Sequence, residues 1–449
     1  MNYVRYAVED FLRLEDFAVA GKTVLLRVDI NSRVDDGKLR MTEKIEKHAK
    51  TMRELSERGA KTVVLSHQGR VGDARFMPLE QHAALLNEFV RVNYVDDIIG
   101  PAAREAIRGM WDGEVLLLDN VRLLAEETLN RSAEEHARSI FVRKLAPLCD
   151  LYINDAFETS HRSHASLVGF PYVLPAGIGL VTEEELRSLA RLAEFEREGF
   201  VVYVLGGSKL GDVLPFIKRL IASKSCIILT AGRVANAFLA AKEGIHCGVE
   251  PEYVEFAAEI LQMSGAEKIK IPKDVAIERG NEREEIAVSE LKAEIQGEQG
   301  KQEEEGAASA VSSASSSSSP SSVSSPSPSS PLSSSSPTSK EFRIYDIGAE
   351  TCDEYISLLS AADAILVKGP AGIYEKEGFA EGTARIFNAV ARSNAFTVLG
   401  GGDTTSALNA VGISENEFSY VSLAGGALLK FLLGEELPAL EVLKSKRKS

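Results

Sequence analysis

The feature that most limits the fold of this chain is an alternation. Short β-rich runs recur from end to end, separated by stretches of helical periodicity. In the first half, strands are predicted over residues 23–28, 62–66, 115–118 and 151–154. Amphipathic stretches such as 42–58 and 133–148 lie between them. In the second half, strands are predicted over 201–205, 226–230, 343–347, 364–367 and 396–399. Strictly alternating β and α segments favour parallel sheets covered by helices on both faces. A chain of 449 residues also exceeds what one hydrophobic core usually organises. The expectation is therefore an α/β protein of two doubly wound parallel-sheet domains joined by a hinge helix. The first domain is expected over 1–181, the connecting helix over 182–197, the second domain over 198–430, and a closing segment over 431–449 that returns to the first domain. Thr182 is expected to cap the connecting helix, with Glu185 completing a capping box.

One segment breaks the pattern. Between 309 and 339, 20 of 31 residues are serine and five are proline. Such a composition buries too little apolar surface to offset the entropy of ordering it. A disordered insertion over 296–340 in the second domain is expected.

Composition then excludes function classes. The net charge is −15, which disfavours nucleic acid as the main partner. No apolar run reaches the roughly 18 residues needed to span a bilayer. The charged first 16 residues lack the apolar core of a secretion signal. Cys149, Cys226, Cys247 and Cys352 are widely spaced without a C-x-x-C pair, which suggests neither a disulfide framework nor a zinc site. A reducing cytoplasm fits. The basic stretch 444–448 reads as a short solvated tail.

Ligands of open parallel sheets bind beyond the carboxyl ends of the strands. In the first half those ends carry Arg27, Asp29 and Asn31, then His67, Gln68, Gly69 and Arg70, then Arg122, then His161, Arg162 and His164. One such arginine is unremarkable, but four basic strand ends in succession suggest a converging anion pocket. Guanidinium forks bind phosphate and carboxylate bidentately, so a small compound bearing both groups is the natural ligand. His161 and His164 do not read as a metal pair, because no third ligand is near and Arg162 repels a cation.

In the second half the strand ends are rich in glycine. Gly206, Gly207, Ser208 and Lys209 follow one strand, Lys368, Gly369, Pro370 and Gly372 another, and Gly400, Gly401, Gly402, Asp403 and Thr404 a third. Glycines let backbone approach a ligand, and a helix N-terminus offers free N–H groups and a positive dipole to phosphates. Asp403 supplies the oxygen chemistry that suits Mg²⁺ beside nucleotide phosphates. Gly21, Lys22 and Thr23 do not form a Walker loop, since they precede a strand instead of following one.

These residues resemble the phosphoglycerate kinase family in order and spacing. The resemblance rests on Arg27 to Asn31, His67 to Arg70, Asn154 to Phe157 with His161-Arg162-Ser163, Gly206 to Lys209, and Gly400 to Thr404. It spans nearly the whole chain outside the serine tract, and His67-Gln68-Gly69-Arg70 looks most like archaeal members. It implies two Rossmann-like domains, with 3-phosphoglycerate on the first and ATP or ADP with Mg²⁺ on the second. It implies reversible phosphoryl transfer between 1,3-bisphosphoglycerate and ADP, completed by hinge closure. By resemblance Asp29, Asn31, Lys44, His67, Gln68, Gly69, Arg70, Arg122 and Arg162 bind the phosphoglycerate. Gly206, Gly207, Lys209, Glu375, Gly401, Gly402, Asp403 and Thr404 bind the nucleotide, and Asp403 holds the metal. Lys44, Arg162 and Lys209 act on the transferred group. A cytoplasmic monomer that binds neither nucleic acid nor membrane is the family expectation.

The chain departs from the family pattern in places. Lys44 stands where the family has an arginine, with Arg40 four residues earlier. Val213 replaces a second lysine, Lys368 an asparagine, and Leu423-Ala424 a threonine-glycine pair. These changes leave open a weak or inactive paralogue that still binds nucleotide or phosphoglycerate. A scaffold acting through the serine tract, or a dehydrogenase, would be further readings.

Overall fold

A computed structural model describes residues 5–297 and 343–447. The expected insertion lies outside the described residues from position 298 onward. The chain divides into two compact units. The first comprises Met1–Gly199, Val398–Gly402 and Tyr420–Ser449, and the second Phe200–Thr397 and Asp403–Ser419.

The first unit is built on strands β1 (Thr23–Arg27), β2 (Val34–Asp35), β3 (Lys38–Leu39), β4 (Lys61–Leu65), β5 (Asn93–Val95), β6 (Val115–Leu118), β7 (Leu151–Asn154) and β8 (Ala176–Ile178). Six of them form a sheet in the order β5-β6-β4-β1-β7-β8, parallel in every pairing. The pair β2-β3 is a separate antiparallel hairpin. Because β1 lies between β4 and β7, connections leave it in both directions. The crevice at its carboxyl end is the topological switch point where such sheets bind ligands.

Helix Glu43–Glu57 covers this sheet. Its buried Ile45, Ala49, Met52 and Leu55 recur every three or four residues and pack on Val24, Leu26 and Val64. Full burial of each large aliphatic side chain stabilises the unit by about 1.5–3 kcal/mol. That packing holds the carboxyl end of β1 at a fixed depth, which matters for the site.

The second unit contains β9 (Val201–Leu205), β10 (Cys226–Thr230), β11 (Ile269–Lys270), β12 (Asp274–Arg279), β13 (Glu282–Ala287), β14 (Ile344–Ile347) and β15 (Ala364–Lys368). Strands β16 (Phe396–Gly400) and β17 (Tyr420–Ser422) fall at the division between units. The main sheet runs β11-β10-β9-β15-β16-β17, again parallel where pairings are described. Both sheets match the predicted class of two doubly wound α/β domains.

Four local expectations are corrected. Residues 343–347 do form a strand, but β14 belongs to a three-stranded antiparallel sheet, β13-β12-β14. Its hairpin turns at Gly280 and Asn281, whose φ of 61° and 73° define the mirror-image turn that suits strand twist.

The stretch 133–148 is not one helix. Ser139 accepts from the Val142 N–H and starts a new helix, Ile140–Leu145, after Ala133–Ala137 has ended.

The helix expected from Thr182 spans Leu180–Glu198, with Gly179 at its N-cap and no side-chain cap of its own. The Thr182 N–H instead donates to Asp155 Oδ1 at 3.1 Å. A Cβ on residue 179 would sit 2.4 Å from that oxygen, so only glycine lets the carboxylate approach. Glu185 closes no capping box. Its buried carboxylate accepts from Ser422 Oγ and the Leu423 N–H at 2.9 Å each, and burial pushes its pKa up to about 7.

Lys444 is no solvated tail. It lies in helix Pro438–Arg447 and its ammonium pairs with Asp10 at 2.7 Å.

Candidate active site

The first unit gathers its predicted residues at the carboxyl ends of β1, β4, β6 and β7. Arg27, the last residue of β1, is 1% exposed. Its Nε donates to Ser166 Oγ at 2.8 Å and its Nη2 lies 3.1 Å from His67 Nδ1. A guanidinium only donates, so His67 Nδ1 accepts and the ring proton sits on Nε2. Burial, reinforced by the charges of Arg27, Arg122 and Lys44, holds His67 well below the usual histidine range. The ring is therefore a neutral Nε2–H donor at pH 7.

Asp29 is buried beside it. Burial alone would raise its pKa, but the neighbouring His67, then Lys44 and Arg27 and the Asn31 N–H, lower it below the usual carboxylate range. Asn31 Oδ1 accepts from the Gly69 N–H at 2.9 Å and ties the β1 loop to the β4 loop. Gly69 has φ +65°, and a Cβ there would lie 2.5 Å from the Arg75 carbonyl, so no other residue fits. Gln68 is buried with its amide engaged: Oε1 accepts from the Ser32 N–H at 2.9 Å, and Nε2 donates to the carbonyls of Ser32 and Arg75. It shapes the loop.

Three arginines complete the pocket. Arg122 donates to the Gly69 carbonyl, yet its buried Nε–H has no partner. Burial, then repulsion from Arg27 and Arg162, pushes its pKa down to about 10. Arg162 is lowered by burial and by Arg70, which is itself exposed. Depression of this kind by neighbouring cations marks positive charge that lacks an anion.

Lys44 stands in the first turn of helix Glu43–Glu57 and pairs with Glu158. Burial would lower it, but Glu158 and Asp29 raise it, so it stays charged. Arg40 instead is exposed and pairs with Asp35 at 3.0 Å on the β2-β3 hairpin. Of the two cations, Lys44 is the one whose field reaches Asp29.

His164 Nδ1 faces Glu127 and His161 Nδ1 faces the Glu158 carbonyl; no cluster of three metal-ligating side chains occurs among the described residues.

Sequence reasoning missed the support behind this pocket. Glu127 is fully buried and receives the Ser166 N–H at 2.8 Å and the Ser166 hydroxyl at 2.7 Å. Ser166 in turn receives Arg27, so a carboxylate, a hydroxyl and a guanidinium form one chain. Residues Ala165–Gly169 form a π-helical turn, a feature frequent at functional sites. Nothing local in the sequence announces a pairing between positions 127 and 166.

The second unit builds its site from backbone. Gly206 and Gly207 follow β9, and their N–H groups bond the carbonyls of Lys368 at 2.8 Å and Pro370 at 3.1 Å. A Cβ on Gly206 would sit 2.2 Å from the Pro370 oxygen, so these loops meet only through glycine. Thr404 Oγ1 accepts from the Gly369 N–H at 2.8 Å and is 1% exposed, which makes it a brace between two loops. Lys368 is buried.

Lys209 precedes helix Leu210–Leu220, and its ammonium lies 3.1 Å from Asp403 in the first turn of helix Gly402–Ala410. Both side chains are about half exposed, 56% and 51%, so the pair is weak and exchangeable. Gly401, at φ +91°, and Gly402, with open space at its Cβ position, precede Asp403.

A cavity of about 290 Å³ opens beside these loops, lined by Gly207, Asn236, Tyr345, Pro370, Glu375 and Asp403 among others. Glu375 is exposed there. Asp403 suits Mg²⁺, which takes one or two carboxylates together with substrate phosphates and not an all-protein cage. A larger cleft of about 630 Å³ between helices Ala349–Leu359 and Glu381–Ala391 contains none of the predicted site residues.

Comparison with known proteins agrees with this architecture. The family model described as phosphoglycerate kinase matches residues 14–315 and 321–435. A phosphoglycerate kinase of Methanopyrus kandleri is 38% identical over 97% of this chain and 98% of its own. One of Methanothermobacter thermautotrophicus is 40% identical over 97% of each. The crystal structure of phosphoglycerate kinase from Pyrococcus horikoshii superposes with a TM-score of 0.81 at 34% identity, covering 97% of this chain and 99% of that one. The structure from Coxiella burnetii gives 0.71 at 27%, covering 98% and 99%. Two anion-ready pockets on doubly wound sheets thus have their counterpart in a family of phosphotransferases, and the chain belongs to the phosphoglycerate kinase family, with archaeal members among its relatives. Among the described residues no helix is long and apolar enough to cross a membrane.

Proposed function

We propose that the first unit binds 3-phosphoglycerate and the second binds ATP or ADP with Mg²⁺, so that the chain transfers a phosphoryl group reversibly between them. The observation that carries this reading is the buried, unpartnered Nε–H of Arg122 among neighbouring cations. An unpaired donor of that kind costs about 1–3 kcal/mol, and an anion bearing phosphate and carboxylate would relieve it.

In this reading Arg122, Arg162 and Arg70 hold the anionic groups, and the His67 Nε2–H donates a neutral hydrogen bond. Asp29 and Asn31 meet the substrate hydroxyl. Gln68 and Gly69 fix the loop. The carboxylate oxygen of the bound acid attacks the terminal phosphorus of ATP while the bond to ADP breaks. Little covalent work falls to the protein, so alignment and cationic stabilisation supply the rate.

Lys44 and Arg162 face the migrating group from the acid side and Lys209 from the nucleotide side. Gly206, Gly207, Gly401 and Gly402 allow backbone to approach the phosphates, Thr404 holds the loops in place, and Glu375 meets the ribose. Asp403 would hold Mg²⁺ after yielding its pairing with Lys209. When bound, the ion neutralises phosphate oxygens. Transfer also requires the two ligands to be brought in line with water excluded.

The domains proposed are 1–181 for the acid and 198–430 for the nucleotide, with 182–197 connecting them and 431–449 closing on the first. The protein is proposed to act as a cytoplasmic monomer, which sedimentation at working concentration tests for mass and fractionation for location.

A coupled assay with Mg²⁺ in both directions tests the function. Turnover lost in Arg162→Ala and in Asp403→Ala is the expected result. Folded protein that binds both ligands without turnover would make it an inactive paralogue. Folded protein that binds neither would refute the site.

A further inference from the structure

Asn236 lies one turn into helix Gly232–Glu243 and is 5% exposed. It lines the second unit's cavity, and its amide oxygen is buried without a hydrogen-bond partner. The other polar groups on that wall are accounted for differently. Arg233 pairs with Glu250 at 2.7 Å, Asp403 pairs with Lys209, and Glu375 stands exposed at the rim. The rest of the lining is mostly flat or apolar, Gly207, Gly232, Gly372, Pro370, Ile344 and Ile373, with the rings of Tyr345 and Tyr374 and the hydroxyl of Ser208 beside them. Walls of that kind accept a planar heterocycle but do not distinguish one purine from another.

We infer that Asn236 reads the nucleobase, its amide oxygen accepting a hydrogen bond from the exocyclic 6-amino group of adenine. This rests on the nucleotide reading of the cavity and adds the residue that selects the base. The chemistry is that of amides meeting adenine elsewhere, where an Asn or Gln side chain takes the 6-amino hydrogen. A 6-oxo purine would present an oxygen to an oxygen. The two acceptors would face each other unless the amide turned over, and sites built to receive a donor discriminate against analogues that lack it. The location is suited to the task. The amide is distant in sequence from the phosphate loops, and the helix that carries it begins at Gly232, whose N–H is tied to the Ala371 carbonyl at 2.9 Å. Asn236 is thus held on a rigid element, as a specificity group needs to be.

The test compares kcat/KM for MgATP and MgITP at saturating 3-phosphoglycerate, because inosine differs from adenosine at the 6-position by one group. The unmodified protein should prefer ATP by about tenfold or more. Asn236→Leu, close in volume, should lose about tenfold with ATP, change little with ITP, and leave the KM for 3-phosphoglycerate unchanged. A leucine variant that keeps the ATP-to-ITP ratio overturns the assignment while leaving the kinase reading intact. Absence of turnover and of ADP binding in the unmodified protein overturns both. Should the leucine variant fail to fold, the side-chain amide resonance of Asn236 in ¹⁵N-labelled unmodified protein decides the matter. It should shift with ADP and not with inosine diphosphate, and an equal response to the two refutes the inference.

Discussion

The two candidate sites attract anions by different means. In the first unit the work falls to side chains: Arg27, Lys44, Arg70, Arg122 and Arg162 lie close together, and burial with repulsion from neighbouring cations depresses Arg122 and Arg162. Buried carboxylates at Asp29 and Glu127 keep that crowd together. In the second unit the ligand surface is backbone, shaped by Gly206, Gly207 and Gly369, with a weak ion pair between Lys209 and Asp403. A side-chain site gets its strength from charge and should fail when a charge is removed. A backbone site gets its strength from shape and should fail when a methyl group is added.

The largest effect should come from breaking the charged site. Arg122→Ala removes a guanidinium with an unmet donor, and kcat/KM for 3-phosphoglycerate should fall on the order of 10²–10³-fold. ADP affinity, measured by calorimetry, should not change. A variant that lost both equally would mean the two sites are not independent.

The converse break is smaller. Gly206→Ala places a Cβ 2.2 Å from the Pro370 oxygen, so the β9 and β15 loops must separate. Nucleotide affinity should fall on the order of tenfold to a hundredfold, with a stability loss of about 1–3 kcal/mol by denaturant titration. Affinity for 3-phosphoglycerate should hold. If nucleotide affinity survives, shape is not what that site depends on.

The same contrast explains what could be read in advance. Strands such as β7 and β15 were legible because continuous apolar runs bounded by polar loops mark buried parallel strands, and basic or glycine-rich strand ends follow from the rule for ligand position. What was hidden involves partners distant in sequence. Asp155, just past the end of β7, accepts from the Thr182 N–H in the first turn of helix Leu180–Glu198, which no local capping pattern shows. Glu127 reaches Ser166 across 39 positions. Hairpin β12-β13 was obscured by the run Glu282-Arg283-Glu284-Glu285, although Gly280-Asn281 carried the turn signal. Thr404 was expected at the nucleotide by position, and the bond its Oγ1 accepts from the Gly369 N–H, 35 positions away, was not legible.

A finer test asks whether the charged site depends on the amount of charge or on its geometry. The resemblance to the family leads one to expect a guanidinium at position 44, where this chain carries the Lys44 ammonium, already paired with Glu158. An ammonium is a point charge with rotatable donors, whereas a guanidinium is a planar fork that can hold a carboxylate and still present N–H groups elsewhere. Lys44→Arg should therefore keep the pairing with Glu158 and offer a further donor to the migrating group. The expected outcome is a kcat raised by about tenfold or less, with little change in the KM for 3-phosphoglycerate, since only the transition state gains the contact. Steady-state kinetics on the variant checks this. A fall in kcat would show that the pocket has been shaped around the compact ammonium, and that geometry as well as charge governs the side-chain site.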